Sequence, residues 1–357
     1  MTALHVMTQS NQSSYKYDVS IIIPFYKRQA EVEKLLTSLK NMDVEEVQLE
    51  TIVVEDGSRV GNSDQLKSLC NNINLSFHYS KKNSGPGYCR NLGASISQGK
   101  FLWFIDSDTV ADNPKLMKNL LQISRETQGV IAAGGINELV NGIQHIMKPI
   151  ILPSLHILNH KIPTDQAIRN NWNEVLSCLS TSNFFIKREK FFEAGGFDAS
   201  LKMYEDNEFC LRLRERFDGG FYQSAHTMIF HNMSPTGREG GHFDYFSDHL
   251  RYMRIKFETR NTLLYRYGRW RLAAMPILEL ISFIIFFWGL KTNRWNIART
   301  DHASVKGRHP MLLWANDVLI ALKYVLLSAF IFFGLSLLFL KTNFLPEFFP
   351  LPKKVFG

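Results

Sequence analysis

The sequence predicts an α/β fold: a mostly parallel central sheet flanked by helices, followed by a C-terminal α-helical membrane region. Three observations carry this. Short apolar runs alternate with stretches whose apolar residues recur at helical spacing, the pattern of βαβ units. One run, Phe101-Leu102-Trp103-Phe104-Ile105, is apolar throughout, as a strand covered on both faces must be, and ends abruptly in Asp106-Ser107-Asp108. Beyond residue 250 the composition turns basic and then strongly apolar.

The elements follow in order. Residues 18–25 (DVSIIIPF) form a β-branched run closed by proline, a first strand. Val32, Leu35, Leu36 and Leu39 lie at helical spacing and predict a covering helix. Residues 49–54 (LETIVV) are a second strand, ending in Glu55-Asp56-Gly57-Ser58. Leu66 and Leu69 mark a second helix, and residues 75–79 a short third strand. Gly85-Pro86-Gly87 opens a helix through Arg90, Asn91 and Ala94. The apolar run at 101–105 is the fourth strand. A helix is expected over 113–125 and a strand over 130–134. The span 137–180 reads as less regular, because Pro149, Pro153 and Pro163 break any long element. Order returns with a strand at 182–186, an acidic helix start at Tyr204-Glu205-Asp206, and one late strand over 221–231 ending in His231.

The 357 residues suit a large domain plus an appendage, and 45% hydrophobic residues suffice for a core. The four cysteines, Cys70, Cys89, Cys178 and Cys210, have no metal-binding spacing and read as free thiols. Residues 1–17 are a polar, flexible N-terminus without the apolar core of a signal peptide, so the catalytic part is expected to face the cytoplasm. A catalytic domain over 18–250 follows. Residues 251–272 are a basic amphipathic juxtamembrane helix, with Arg251, Arg254, Lys256 and Arg260 among interleaved aromatics. Residues 273–340 hold two apolar segments, 273–290 and 318–340, joined by a loop, and 341–357 are a tail. The second segment is long enough to span a bilayer. The net charge of +8 therefore belongs to a membrane surface, not to nucleic acid. A hairpin of two spanning helices is the preferred topology, although its loop would carry five cations outside, against the positive-inside tendency; the alternative is that 273–290 lies in the interface or re-enters and only 318–340 spans.

Several residues carry potential chemistry. Asp106 and Asp108 lie at a strand's carboxyl end, where open α/β sheets bind ligands. They read either as a divalent-metal site for a substrate diphosphate or as an Asp-rich turn. Asp56 and Tyr26 end strands on the same rim. Asp56 can accept from a base or a ribose, or form a turn; Tyr26 can stack on a base, or sit half-buried. Arg90 can reach a phosphate or base, or be a surface cation. Glu205 and Asp206 fit a helix N-terminus, which also keeps a general base ionised. His231 can complete a metal site beside two aspartates. The chain has no Walker sequence and no GxGxxG.

Six segments in order and spacing then make a resemblance: SIIIPFYKR (20–28), VVEDGS (53–58), NSGPGYCRNLG (83–93), FLWFIDSDT (101–109), STSNFFIKREKFFEAGGFD (180–198) and YEDNEFCLRLR (204–214). Over residues 18–235 the chain resembles the family 2 glycosyltransferases of membrane-associated bacterial type, with a GT-A nucleotide-diphospho-sugar transferase fold. The resemblance implies a metal-dependent, inverting transfer from a UDP-, GDP- or dTDP-sugar to a hydroxyl of a glycan or lipid-linked glycan. It makes Asp206 the base with Glu205 beside it. Pro24, Tyr26, Asp56, Arg90, Asp106, Ser107 and Asp108 become nucleotide-sugar contacts. Asp106, Asp108 and His231 become ligands of Mg²⁺ or Mn²⁺, and Asn183 lines the acceptor side. It places the protein at the inner (cytoplasmic) membrane. Cys89 departs from the pattern, where a small residue is usual, and the processive QxxRW signature is absent. A polyprenyl-phosphate glycosyltransferase is the alternative, disfavoured by Glu205-Asp206 and by Thr109-Val110 after the aspartates. An inactive nucleotide-sugar-binding scaffold is the second, disfavoured because Asp106, Asp108 and Asp206 are all retained.

Overall fold

In the computed structural model, residues 15–58, 65–66, 74–140, 142–151, 157–201 and 204–232 are described. The basic segment and both apolar segments lie outside them. Among the described residues no helix is long and apolar enough to cross a membrane.

The central sheet has eight strands. β1 (Tyr17–Phe25), β2 (Leu49–Glu55), β3 (Asn74–Tyr79) and β4 (Gly99–Ile105) run parallel, in the order β4-β1-β2-β3. The sheet continues past β4 through β11 (Asn183–Lys187), β6 (Val130–Gly134), β12 (Gly220–Ser224) and β10 (Asn173–Leu176). β11 lies antiparallel to both β4 and β6, and β10 antiparallel to β12, so the sheet is mostly parallel, as expected, with two strands running against the other six.

Both faces of the sheet are covered, which explains the unbroken apolar strands. Alternate residues of β1 enter different cores. Ile21 and Ile23 pack with α1 (Gln29–Lys40) and α3 (Leu116–Glu126). Ile22 packs on the opposite face with Ala94 of α2 (Pro86–Ile96), Phe191 of α5 (Arg188–Glu193) and Phe209 of α6 (Glu205–Arg216). The four apolar residues that predicted α1 are all buried, each contributing about 1.5–3 kcal/mol. Gly93 has no room for a side chain: a Cβ there would lie 2.6 Å from Ile22 Cγ2, so α2 rests directly on β1.

Two expectations need correction. The described residues of the span 137–180 are mostly regular, not irregular. It supplies β7 (Ile136–Val140), β8 (Ile143–Ile151), β9 (Ile157–Pro163), α4 (Thr164–Arg169) and β10. β7 to β9 join β5 (Thr109–Val110) and β13 (Ile229–His231) in a second sheet, ordered β5-β13-β7-β8-β9. Pro149 is tolerated in β8 because it lies beyond the pairing with β7, which ends at Met147, so a missing N–H costs no bond on that side. The late strand expected over 221–231 is two strands. A turn closed by Ser224 N–H on Thr227 Oγ1 (3.0 Å) separates β12 from β13, and the two enter different sheets.

Candidate active site

The parallel register brings the carboxyl ends of β1, β2 and β4 to one rim. Phe25 pairs with Glu55, and the Asp56 amide donates to Phe25 O (2.9 Å). Antiparallel β11 begins opposite the end of β4, Asn183 facing Ile105, so Ser182 stands at the same rim as Asp106.

Arg90 is the hinge of this rim. Its guanidinium, fully buried, donates to Asp106 Oδ1 (2.5 Å) and to Glu205 Oε1 (2.8 Å). It also lies over the Phe197 ring, 5.6 Å from the centroid. Arg90 is therefore not the surface cation of the alternative reading: it is fully buried and bonds two carboxylates. Asp106 Oδ2 accepts from Ser182 Oγ (2.8 Å), so both its oxygens are held by protein. Glu205 is likewise buried, which makes it a support and leaves Asp206 as the partly exposed member of the pair.

Asp206 stands in the first turn of α6, where the helix dipole favours a carboxylate. Its Oδ1 accepts from the Asn207 amide (2.9 Å). The preceding Tyr204 takes the left-handed conformation (φ 59°), uncommon for a non-glycine residue and typical of functional sites.

Asp56 is nearly buried and its two oxygens accept the amides of Ser84 (2.7 Å) and Gly85 (2.8 Å). Its first role is to fix the loop that opens α2. Gly57 (φ +73°) makes this possible, since a Cβ there would lie 2.4 Å from Lys82 C. Tyr26 is half-buried, with Lys27 Nζ 5.1 Å from its ring centroid, while Pro24 and Ser107 are buried.

Asn183 is not on an acceptor surface. It is fully buried: Oδ1 accepts from Trp103 Nε1 (2.8 Å), and Nδ2 donates to the Gly135 (2.7 Å) and Thr227 (2.8 Å) carbonyls. It ties β4 to the β6–β7 junction and to the turn before β13.

The expected metal trio assembles only in part. Among the described residues no three of His, Cys, Asp or Glu converge as a metal cage. Asp106 is turned toward Arg90 and Ser182. Asp108 and His231 do meet, with Oδ1 and Nε2 3.6 Å apart. The backbone explains this: β13 pairs with β5 immediately after the aspartates, His231 opposite Thr109, and the Asn232 amide donates to Asp108 O (2.9 Å).

Residues 20–234 match the family described as Glycosyltransferase like family 2, more than half of the 357 residues. The chain belongs to that family. Its relatives include an uncharacterized glycosyltransferase of Haemophilus influenzae, 28% identical over 198 residues, covering 55% of this chain and 61% of that protein. The poly(ribitol-phosphate) beta-N-acetylglucosaminyltransferase TarS of Staphylococcus aureus is 29% identical over 146 residues, 40% of this chain and 25% of that one. A pre-mycofactocin glycosyltransferase of Mycobacterium tuberculosis is 27% identical over 201 residues, 56% of this chain and 39% of the other. The chain thus spans less than two thirds of the length of each. Among solved structures, S. aureus TarS 1–349 in complex with UDP-GlcNAc aligns with TM-score 0.49 and 20% identity over 67% of this chain and 65% of that one. The Pyrobaculum calidifontis mannosyltransferase PcManGT in complex with GDP-Man and Mn²⁺ aligns with TM-score 0.47 and 14% identity over 94% of this chain and 89% of that one.

The donor set of this family 2 chain fits a divalent cation. Two donors each about 2.1 Å from one ion lie about 3–3.7 Å apart at ordinary ligand angles, and the Asp108–His231 separation is 3.6 Å. Only two protein ligands are needed where substrate phosphates supply the others. Without a metal, His231 is held as a cation. Burial pulls its pKa down, but the contacts and charges of Asp108 and Glu138 outweigh that and raise it to about 10. A cation at Nε2 must displace that proton.

Three residues at the site escaped the sequence reading. Arg28 Nη1 donates to Asp108 Oδ2 (2.7 Å). Ser182 holds Asp106. Glu138 Oε1 accepts from His231 Nδ1 (2.9 Å). Arg28 and Ser182 lie inside the motif segments 20–28 and 180–198, which was a usable signal; Glu138 lay in the span read as less regular.

Proposed function

We propose that this chain transfers a sugar from a nucleotide-diphospho-sugar to a hydroxyl of a glycan or lipid-linked glycan, by a metal-dependent single displacement that inverts the anomeric centre. One observation carries the reading: Arg90 binds both Asp106, on the rim expected to hold the donor, and Glu205, the residue before the expected base. In this reading the buried ion pair ties the start of α6, which carries Asp206, to the rim that Asp106 ends.

In this reading Asp206 takes the proton from the acceptor hydroxyl as its oxygen bonds to the anomeric carbon, and the bond to the diphosphate breaks. The place of Asp206 in the first turn of α6 favours a carboxylate there. Asp108 and His231 would hold the cation, Mg²⁺ or Mn²⁺, which would neutralise charge on the diphosphate. Asp106 stays held by Arg90 and Ser182, and the loop anchored by Asp56 frames the nucleotide beside Tyr26. The names of the TarS and pre-mycofactocin relatives support sugar transfer onto a larger acceptor. The basic segment 251–272 and the apolar segments 273–290 and 318–340 support attachment to the inner membrane, catalytic domain toward the cytoplasm.

The test is a comparison of Asp206→Asn with wild type, using donor turnover and donor binding together. Loss of about 10²–10⁴-fold in turnover with binding intact is expected for a general base. Full turnover by Asp206→Asn would remove Asp206 from that role.

A further inference from the structure

We propose that Glu138 is a positioning residue of this site, fixing the tautomer and orientation of His231 so that Nε2 is presented to a divalent cation beside Asp108. The inference rests on the metal reading above and extends it to a residue on a different strand.

The backbone prepares the arrangement. β13 lies between β5 and β7, antiparallel to the first and parallel to the second. His231 ends β13, with Asp108 just before β5 on one side and Glu138 on β7 on the other. The ring bridges them: Nδ1 is 2.9 Å from Glu138 Oε1 and Nε2 is 3.6 Å from Asp108 Oδ1. An ionised carboxylate only accepts, so the Nδ1 proton stays with Glu138 at the shorter contact, and when a cation displaces the Nε2 proton it is the Nε2 lone pair that is freed. A carboxylate behind a ligating histidine also raises the basicity of the ring and fixes its rotation. All three side chains are mostly buried, 11–16% exposed, so the orientation is not averaged by solvent. His145, opposite Glu138 in the β7–β8 register, directs its Nδ1 to Ile143 O (3.0 Å), which leaves the carboxylate to His231.

The experiment measures Mn²⁺ affinity directly, from the electron paramagnetic resonance signal of Mn²⁺ titrated with protein at a fixed concentration of UDP, GDP or dTDP, whose diphosphate supplies the remaining ligands. Glu138→Ala is expected to weaken Mn²⁺ binding about 10–100-fold, the usual cost of losing such a partner. Glu138→Gln keeps an acceptor oxygen and should recover part of the loss. The decisive arm is the double variant Glu138→Ala/His231→Ala. If Glu138 acts through the ring, the double variant binds Mn²⁺ no more weakly than His231→Ala alone. Additive losses, or wild-type affinity in Glu138→Ala, would overturn the inference while leaving the metal reading in place. Unchanged affinity in His231→Ala, or no Mn²⁺ binding by wild type, would instead overturn the metal assignment, and this inference with it.

Discussion

Removing the charge of Arg90 tests the rim most severely. Arg90→Met keeps most of the side-chain volume and deletes the cation. Glu205, a fully buried carboxylate, then loses its bond to the Arg90 guanidinium, and Asp106 loses the Arg90 bond to its Oδ1. Breaking a buried pair by removing one member costs about 3–5 kcal/mol, because the other charge stays desolvated. With a guanidinium slope near 4 kcal/mol/M, that is a midpoint shift of about 0.8–1.2 M. The internal control is Arg216, whose pair with Glu193 is about half exposed on both sides (53% and 51%). Arg216→Met should cost at most about 1 kcal/mol, or about 0.25 M. Both variants are followed by equilibrium unfolding monitored by tryptophan fluorescence, since Trp103 lies in the strand that Asp106 ends. A midpoint for Arg90→Met as close to wild type as that of Arg216→Met would refute the claim that a buried ion pair holds the rim together.

Other perturbations follow from the same contacts. Gly57→Ala places a Cβ 2.4 Å from Lys82 C and 2.6 Å from Asn83 N at φ +73°; thermal denaturation should show a loss of at least about 2 kcal/mol, and nucleotide binding should fall with it. Asn183→Ala strands the Trp103 indole N–H and two carbonyls in the interior, so it should destabilise the domain by about 3 kcal/mol in denaturant titrations, and a variant of unchanged stability would contradict that placement. The metal-free protein should lose stability in alkali. The folded pKa of His231, about 10, lies above its ordinary 6.5, so its contribution is fully present below pH 6.5 and disappears as pH rises through 10. A melting-temperature profile from pH 6 to 10.5 should slope down in that window and flatten in His231→Gln.

The sequence showed most where burial is two-sided and periodic. β1, β2 and β4 were visible because strands covered on both faces cannot alternate, and α1 because Val32, Leu35, Leu36 and Leu39 must share one face. The rim aspartates were visible because an apolar strand that stops at carboxylates marks its own end. The span 137–180 was not, because Pro149 is permitted only by where β7 stops, which is a pairing fact absent from local sequence. The break between β12 and β13 was hidden in an apolar run interrupted by a Ser224–Thr227 turn. The role of Arg90 was out of reach for a related reason. Nothing around it in PGYCRNLG predicts that its partners are Asp106 and Glu205, the latter more than a hundred residues away. Glu138 is the extreme case: its meaning comes entirely from the strand that delivers His231 beside it.

The most direct measurement of the central claim is release of nucleoside diphosphate from a panel of UDP-, GDP- and dTDP-sugars, with and without Mn²⁺ or Mg²⁺, by the full chain in membranes or detergent. The account predicts turnover of at least one donor, dependent on the metal and lost in Asp108→Ala. Donor turnover at the wild-type rate in Asp108→Ala, or in the presence of excess chelator, would contradict it.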